Sequence, residues 1–374
     1  MRRQIFLLTL GIAVTGSNSL VLSPILADVA MGLGTTPVVV SRALAAYGGA
    51  TALSAFLLAP RIDRVGPRRA LSAASTHWLV LVLAQIVAGI GAGIVLPSIY
   101  ALATTIAPKG AESAVLGRVL VGWSVSLVAG VPASALISDL AGWRASFLAL
   151  GSLAAVSLLG STWLPEGRRH QPQPQGLLAP LGYPTVRPLL LVCLAFMTAF
   201  YGVYAFLGDT LRATTGVTAG GAGLAVLTYG IGFGIASLAD RRVDRLGAER
   251  VLPWSLTAVA LIYLALVPAT RALWSAALLT AVWGCANHLC LNSLIVLLAR
   301  ARPDRRGAVL GLNSAVTYVG ALFGTGGAGL AYQQAGFAGL GIIAAALLAV
   351  AALVAQIGAD QRPQSAGAAA RSMR

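Results

Sequence analysis

Three polar side chains, Asn287, His288 and Asn292, stand inside one long apolar run at 273–298. A polar group surrounded by hydrocarbon is expensive, so one that persists there is a candidate for binding a solute or moving a proton. At 100° per residue the three fall within about 140° of each other on a helix, and so share a face. His288 is the one imidazole deep in a run, the side-chain type that exchanges a proton near neutral pH. Further candidates deep in apolar runs are Asn18 (with Ser17 and Ser19 beside it), Tyr47, Gln85, Tyr201, Tyr204 and Tyr318. No Asp or Glu occupies the centre of a run; Asp28, Asp139, Asp209 and Asp240 stand near the ends. Uncharged amides and phenols suit a neutral or amphipathic solute. The competing reading for each is a hydrogen bond that joins two helices.

Catalytic signatures are missing. There is no phosphate-cradling loop ending in Gly-Lys-Ser/Thr, which speaks against an ATP-driven pump. His77, His170 and His288 are far apart and lack metal-ligand spacing. Cys193, Cys285 and Cys290 lie in apolar runs without a C-x-x-C pair, and read as small apolar packers. The expectation is no enzyme, no metal and no cofactor.

The elements that must position the polar groups follow from composition. Of the 374 residues, 57% are hydrophobic and 10% charged. A soluble chain carries about 25% charged residues, and a disordered one is apolar-poor and charge-rich. Both classes are excluded. Strict alternation over segments of about ten residues, the mark of a transmembrane barrel, is absent. An all-α polytopic membrane protein remains. Eleven apolar runs are clear, at 4–29, 38–59, 76–106, 115–138, 143–164, 188–210, 218–238, 251–269, 273–298, 308–332 and 337–358. The start, Met1-Arg2-Arg3 before an apolar run, imitates a signal peptide, but the run continues through Ala30. That is longer than an ordinary signal core, so an uncleaved first span is expected.

The Pro-, Gln- and Arg-rich stretch 165–187 reads as a linker. It separates an N-terminal helix bundle (1–164) from a C-terminal six-helix bundle (188–358), with 359–374 as a disordered tail. The net charge of +15 would suggest nucleic acid in a soluble protein. In a polytopic chain it is the excess that marks cytoplasmic loops, and no nucleic acid is expected. Assigning both termini and the stretches 61–69, 109–118, 167–187, 241–250 and 300–306 to the cytoplasm collects 22 of the 26 Lys and Arg on one side.

The halves look like repeats. Arg61-Ile-Asp63-Arg64-Val-Gly66-Pro-Arg68-Arg69 follows the second run, and Arg242-Val-Asp244-Arg245-Leu-Gly247-Ala-Glu249-Arg250 the seventh. In each, an acid between arginines can pair across a tight turn and hold two helices together. The repeats differ at one place. Asp244 to Trp274 spans 30 residues, whereas Asp63 to Trp78 spans 15. About fifteen residues are missing where a third span belongs. One long crossing near 76–106, with 70–75 as a short connector, is expected.

With these motifs in view, the chain resembles the major facilitator superfamily. The Asp63-Arg64-Val-Gly66-Pro-Arg68 loop is similar to that family's signature between spans 2 and 3, with Ala59 where the family usually has Gly. Gly122-Trp-Ser-Val-Ser-Leu-Val-Ala-Gly130-Val-Pro132, followed by Gly142-Trp143-Arg144-Ala-Ser-Phe147, resembles the antiporter motif of the 12-span drug:proton antiporter branch. Its Gly-Val-Pro form is similar to the sugar- and nucleoside-efflux members, although Ala133-Ser134 replaces the usual Gly. Asn313-Ser314 with Gly320, Gly324 and Gly327 resembles the glycine-rich eleventh span of the same group. Gln85 departs from the pattern, since the branch usually carries there an arginine tied to proton coupling.

The resemblance implies a two-bundle fold of twelve spans, of which eleven are clear here. It implies a seam at Gly130 and Pro132 that seals the closed state between the halves. It also implies export of a small solute through a bacterial inner membrane by a monomer, by alternating access, with protons as an open second partner. An uptake carrier of the same fold stays open, as does a membrane protein that binds or senses without transporting. The missing third span favours weak or absent transport.

Overall fold

The computed structural model describes residues 2–58, 78–106, 112–163, 178–239, 245–302 and 305–372. The Asp63, Arg64, Gly66 and Arg68 loop, the 70–75 connector and Asp244 lie outside the described residues. All described regular structure is helical.

The first half contains α1 (Arg2–Leu20), α2 (Leu22–Gly32), α3 (Pro37–Leu58), α4 (Trp78–Thr105), α5 (Glu112–Val125), α6 (Val131–Ala141) and α7 (Trp143–Ser161). The second contains α8 (Arg187–Thr215), α9 (Ala219–Ala236), α10 (Ala248–Ala269), α11 (Leu273–Ala301) and α12 (Arg306–Ser372). Seven described helical stretches are long and apolar enough to cross a membrane, and the α1–α2 pair makes an eighth. That pair bends by 52°. Pro24 supplies the cause, since it cannot donate to the carbonyl four residues back and its ring crowds that turn. The apolar stretch of α12, 308–357, has 50 residues, which at 1.5 Å per residue is about 75 Å, far more than a ~30 Å hydrocarbon core. Gly336 divides it, with φ 62° and ψ −165°, a backbone region open essentially to glycine alone. α12 therefore holds two crossings, in the positions of the last two apolar runs. Its backbone stays helical to Ser372, where the sequence predicts a disordered tail from 359. The run Gly367-Ala-Ala-Ala-Arg371 is rich in the strongest helix former, which accounts for the extension.

Helix directions locate the shortened region. Asn18 of α1 meets Gln85 of α4, while Gly11 of α1 faces Ile99, so α1 and α4 run in opposite directions. The short turn at 33–36 makes α3 antiparallel to the first span as well. Hence α3 and α4, consecutive helices, run the same way. Leu58 and Thr105 mark ends on one side, and Trp78 an end on the other. Both basic stretches of the first half thus adjoin helix ends on a single side. Where one long crossing is expected near 76–106, the structure has one 28-residue helix.

Between α9 and α11 the second half has α10, which has no counterpart among the described residues of the first. α10 packs on the second limb of α12, where a Cβ on Gly341 would stand 3.0 Å from the Tyr263 carbonyl. The Tyr263 ring also meets Trp283 of α11 at 5.4 Å. α7, the last helix of the first half, has 17% of its apolar window buried. Trp163, Trp254 and Trp274, at helix ends, are 62%, 76% and 77% exposed. Amphipathic indoles take such places at membrane–water boundaries.

One break falls where Gly130 and Pro132, by their small bulk and missing backbone donor, allow a kink. The run 115–138 reads as a single helix, but Ser126–Gly130 forms a π-helical turn between α5 and α6. Such turns admit an extra residue and occur mostly as single insertions in α-helices. Pro132 begins the next helix one residue after Val131, where its missing N–H is tolerated.

Candidate functional site

The two halves meet along three helix pairs. A Cβ on Gly48 of α3 would stand 3.0 Å from the Ala321 Cβ of α12, and one on Gly329 would stand 3.2 Å from Val38 and Ser41. A Cβ on Gly223 of α9 would stand 3.1 Å from Ala135 of α6, and one on Gly230 would stand 3.0 Å from Leu127. The Ser23 hydroxyl of α2 donates to the Tyr204 carbonyl of α8. These approaches gather in the half of the membrane that holds the 33–36 turn. Beneath them lies a small cleft of about 10 Å³, lined by Ser19, Tyr47, Tyr201, Tyr318, Ala321 and Thr325 among others. Both halves contribute to it.

Three of the sequence-derived candidates, Tyr47, Tyr201 and Tyr318, therefore converge. Tyr47 is tied down by its hydroxyl, which donates to the Thr15 carbonyl at 3.3 Å. Asn18, half-buried beside the cleft residue Ser19, donates from Nδ2 to Gln85 Oε1 at 3.2 Å. Gln85 is thus spent at least in part on a hydrogen bond within the first half. No charged side chain lines the cleft.

The other candidates sit in the second half. Tyr204 is one helical turn from Tyr201, and its ring packs on Phe200 at 5.5 Å and Trp283 at 6.5 Å. Asn287, 2% exposed, donates from Nδ2 to the Tyr229 hydroxyl at 2.9 Å. The Tyr204 hydroxyl and Asn287 Oδ1 are buried without a hydrogen-bond partner among the described residues. Such groups cost about 1–3 kcal/mol each when left unsatisfied. His288 is half-buried, its ring edge-on to Phe233 at 4.9 Å. Asn292 is half-buried on the same helix. Asn287 and His288 thus both face α9, at Tyr229 and, one turn on, at Phe233.

Sequence reasoning missed Tyr229 and Trp283, which with Phe200 and Tyr204 form one aromatic cluster. Tyr229 and Trp283 are 5.0 Å apart. A signal was available. Trp283 lies four residues before Asn287, on the same helix face, and a Trp deep in a span is unusual when most sit at the boundaries.

Of the motif residues, Gly130 is pressed so closely against α1 that a Cβ there would overlap Ser17 Oγ. The Pro132 Cα would lie 3.6 Å from a Cβ on Gly223 of α9. Gly130 therefore packs within the first half, and Pro132 faces the second. Gly247 has φ 86° and opens α10 just after the helical turn containing Arg245. Among the described residues no cluster of three or more His, Cys, Asp or Glu could hold a metal ion.

Two long apolar bundles, with an uncharged cleft between them, define a multi-pass membrane transporter. The model of the Major Facilitator Superfamily matches residues 8–209 and 189–372, and the chain belongs to that family. It is 28% identical to the protein named "Uncharacterized MFS-type transporter YwfA" of Bacillus subtilis (strain 168), over 91% of this chain and 88% of that one. It is 23% identical to "Inner membrane transport protein YdhP" of Escherichia coli (strain K12), over 79% and 77%. To a "Probable sugar efflux transporter" of Pasteurella multocida (strain Pm70) it is 27% identical, over 76% and 70%. Among solved structures, a D-xylose-proton symporter superposes with a TM-score of 0.77 at 16% identity, over 94% of this chain and 96% of that one.

Proposed function

We propose that the chain exports a small, neutral or amphipathic solute across the bacterial inner membrane by alternating access, acting as a monomer. The cleft carries this reading: residues of both halves line it, none is charged, and it is closed on one side. Its volume of about 10 Å³ is room for about one water, so a solute is admitted only when the two halves part. The relative named as a sugar efflux transporter and the Gly130-Val-Pro132 motif favour export over uptake. Flux of labelled monosaccharides and nucleosides into inside-out vesicles tests it. Uptake above empty vesicles, abolished by Tyr201→Ala, is expected; no flux with any of them counts against it.

In this reading the termini and the 165–187 linker face the cytoplasm and the 33–36 turn faces outward, because 22 of 26 basic residues then lie inside. An impermeant thiol reagent on intact cells should reach Thr36→Cys and leave Gln173→Cys unlabelled. The opposite pattern overturns the orientation. Coupling to protons is placed at His288.

A second reading is favoured by the parallel course of α3 and α4: a chain that binds its solute but cycles poorly. Vesicles that show saturable ligand binding without flux would establish that one.

A further inference from the structure

At the closed end of the cleft, two neighbouring contacts join the halves, and both are made by carboxylates of the first half. Asp28 of α2 meets Arg212 of α8, with Oδ1 2.5 Å from Nη2. The same guanidinium donates from Nη1 to the Pro24 carbonyl at 3.4 Å. Ser138 of α6 donates to Asp28 Oδ2 at 3.3 Å, so α2, α6 and α8 are tied at one carboxylate. The next residue, Asp139, reaches across to the start of α9. Its Oδ1 accepts from the Ala219 amide at 3.0 Å and its Oδ2 from the Gly220 amide at 2.7 Å. Two of the amides that a helix start leaves unpaired are therefore satisfied from the other half of the molecule. α9 also has its own cap, since the Thr218 side chain accepts from the Gly221 amide at 3.3 Å.

We propose that Asp28 and Asp139 form a two-point latch that holds this end of the transporter shut. Arg212 lies eleven residues along α8 from the cleft residue Tyr201, about 16 Å at helical rise, so the latch closes the mouth and does not touch the solute. The ion pair is partly buried, at 16% and 21% side-chain exposure for Arg212 and Asp28, and so escapes much of the screening that weakens surface pairs. Asp139 adds an attraction to the positive end of α9. Below the latch the halves touch through Gly223 and Ala135, and through Gly230 and Leu127. Gly208 packs on Ser23 and Pro24, and Gly329 on Val38 and Ser41, so the carboxylates add to a seam of small residues in close approach.

The inference rests on the orientation proposed above. It is tested in the full chain, with Cys193, Cys285 and Cys290 replaced by Ala and a single cleft thiol introduced by Ser19→Cys. An impermeant maleimide is applied to right-side-out vesicles. Arg212→Ala and Asp139→Ala should each raise the labelling rate about tenfold, the factor that about 1.4 kcal/mol represents. The exchange Asp28→Arg with Arg212→Asp should return it to the starting rate. A parallel series keeps only Cys193, buried in the second half, and should stay unlabelled. Unchanged rates at Ser19→Cys overturn the latch. So does a rise that Cys193 shares, or that the exchange does not reverse, since either marks the contacts as packing alone. A rise confined to inside-out vesicles would overturn the orientation and leave the latch standing. No transported solute is needed, so the result is independent of the flux experiment.

Discussion

Asn18 and Gln85 share a hydrogen bond of 3.2 Å between α1 and α4, at the position where the resembling branch carries an arginine. The pair is a neutral tie. Replacing Gln85 with Leu keeps the volume and leaves the half-buried Asn18 amide without this acceptor. A loss of about 1–2 kcal/mol is expected for an unsatisfied polar group. Thermal unfolding in detergent measures it; the double change Asn18→Leu with Gln85→Leu should recover most of the loss.

Gly130 admits no side chain while Ser17 faces it. Gly130→Ala should destabilise the first half by roughly 1–3 kcal/mol, the range for overpacking. Adding Ser17→Ala removes the overlapping hydroxyl and should restore part of the melting temperature. Failure of the second change to help would place the strain elsewhere.

His288 gives the coupling proposal its test. His288→Gln keeps a polar group of similar size and removes the exchangeable charge. Transport should lose its dependence on an imposed pH gradient while the amount of protein in the membrane stays the same. If the unaltered chain ignores the gradient, the coupling proposal fails and facilitated diffusion is left.

The region between α3 and α4 allows an addition. An apolar segment of about fifteen residues inserted after Leu71 would supply most of a span, and would give α7 the neighbour that α10 provides in the second half. Greater thermal stability and faster flux are expected. No gain in either would mean that the first half needs no further helix.

Much of this was legible in the sequence because a bilayer permits few solutions. Apolar length alone placed α7 to α11 within a few residues, since a helix must be long enough to cross and must satisfy its own backbone. The shortened region was legible from the unequal spacing of Asp63, Trp78, Asp244 and Trp274. Tyr47, Tyr201 and Tyr318 could be singled out as polar groups in apolar surroundings, but their meeting depends on how two bundles rotate against each other. The Asp28–Arg212 pair was hidden for a related reason. Arg212 is one of the four basic residues outside the cytoplasmic stretches, Asp28 read as a residue near the end of a run, and nothing local links residues 184 positions apart. Asn287 and His288 shared a predicted face, and both meet α9, at Tyr229 and Phe233 on successive turns.

The π-helical turn at Ser126–Gly130 also sets the phase of everything after it. One residue more than an α-helix needs turns the following side chains by about 100°. That rotation decides which way Pro132, Ala135 and Asp139 point. Deleting a single residue in 126–130 would remove the turn and the surplus together, leaving an unbroken α-helix with all three still toward α9. Forcing every residue into regular α-helix would instead swing them away. The reading frame of contact between the halves thus depends on the wide turn that absorbs one surplus residue.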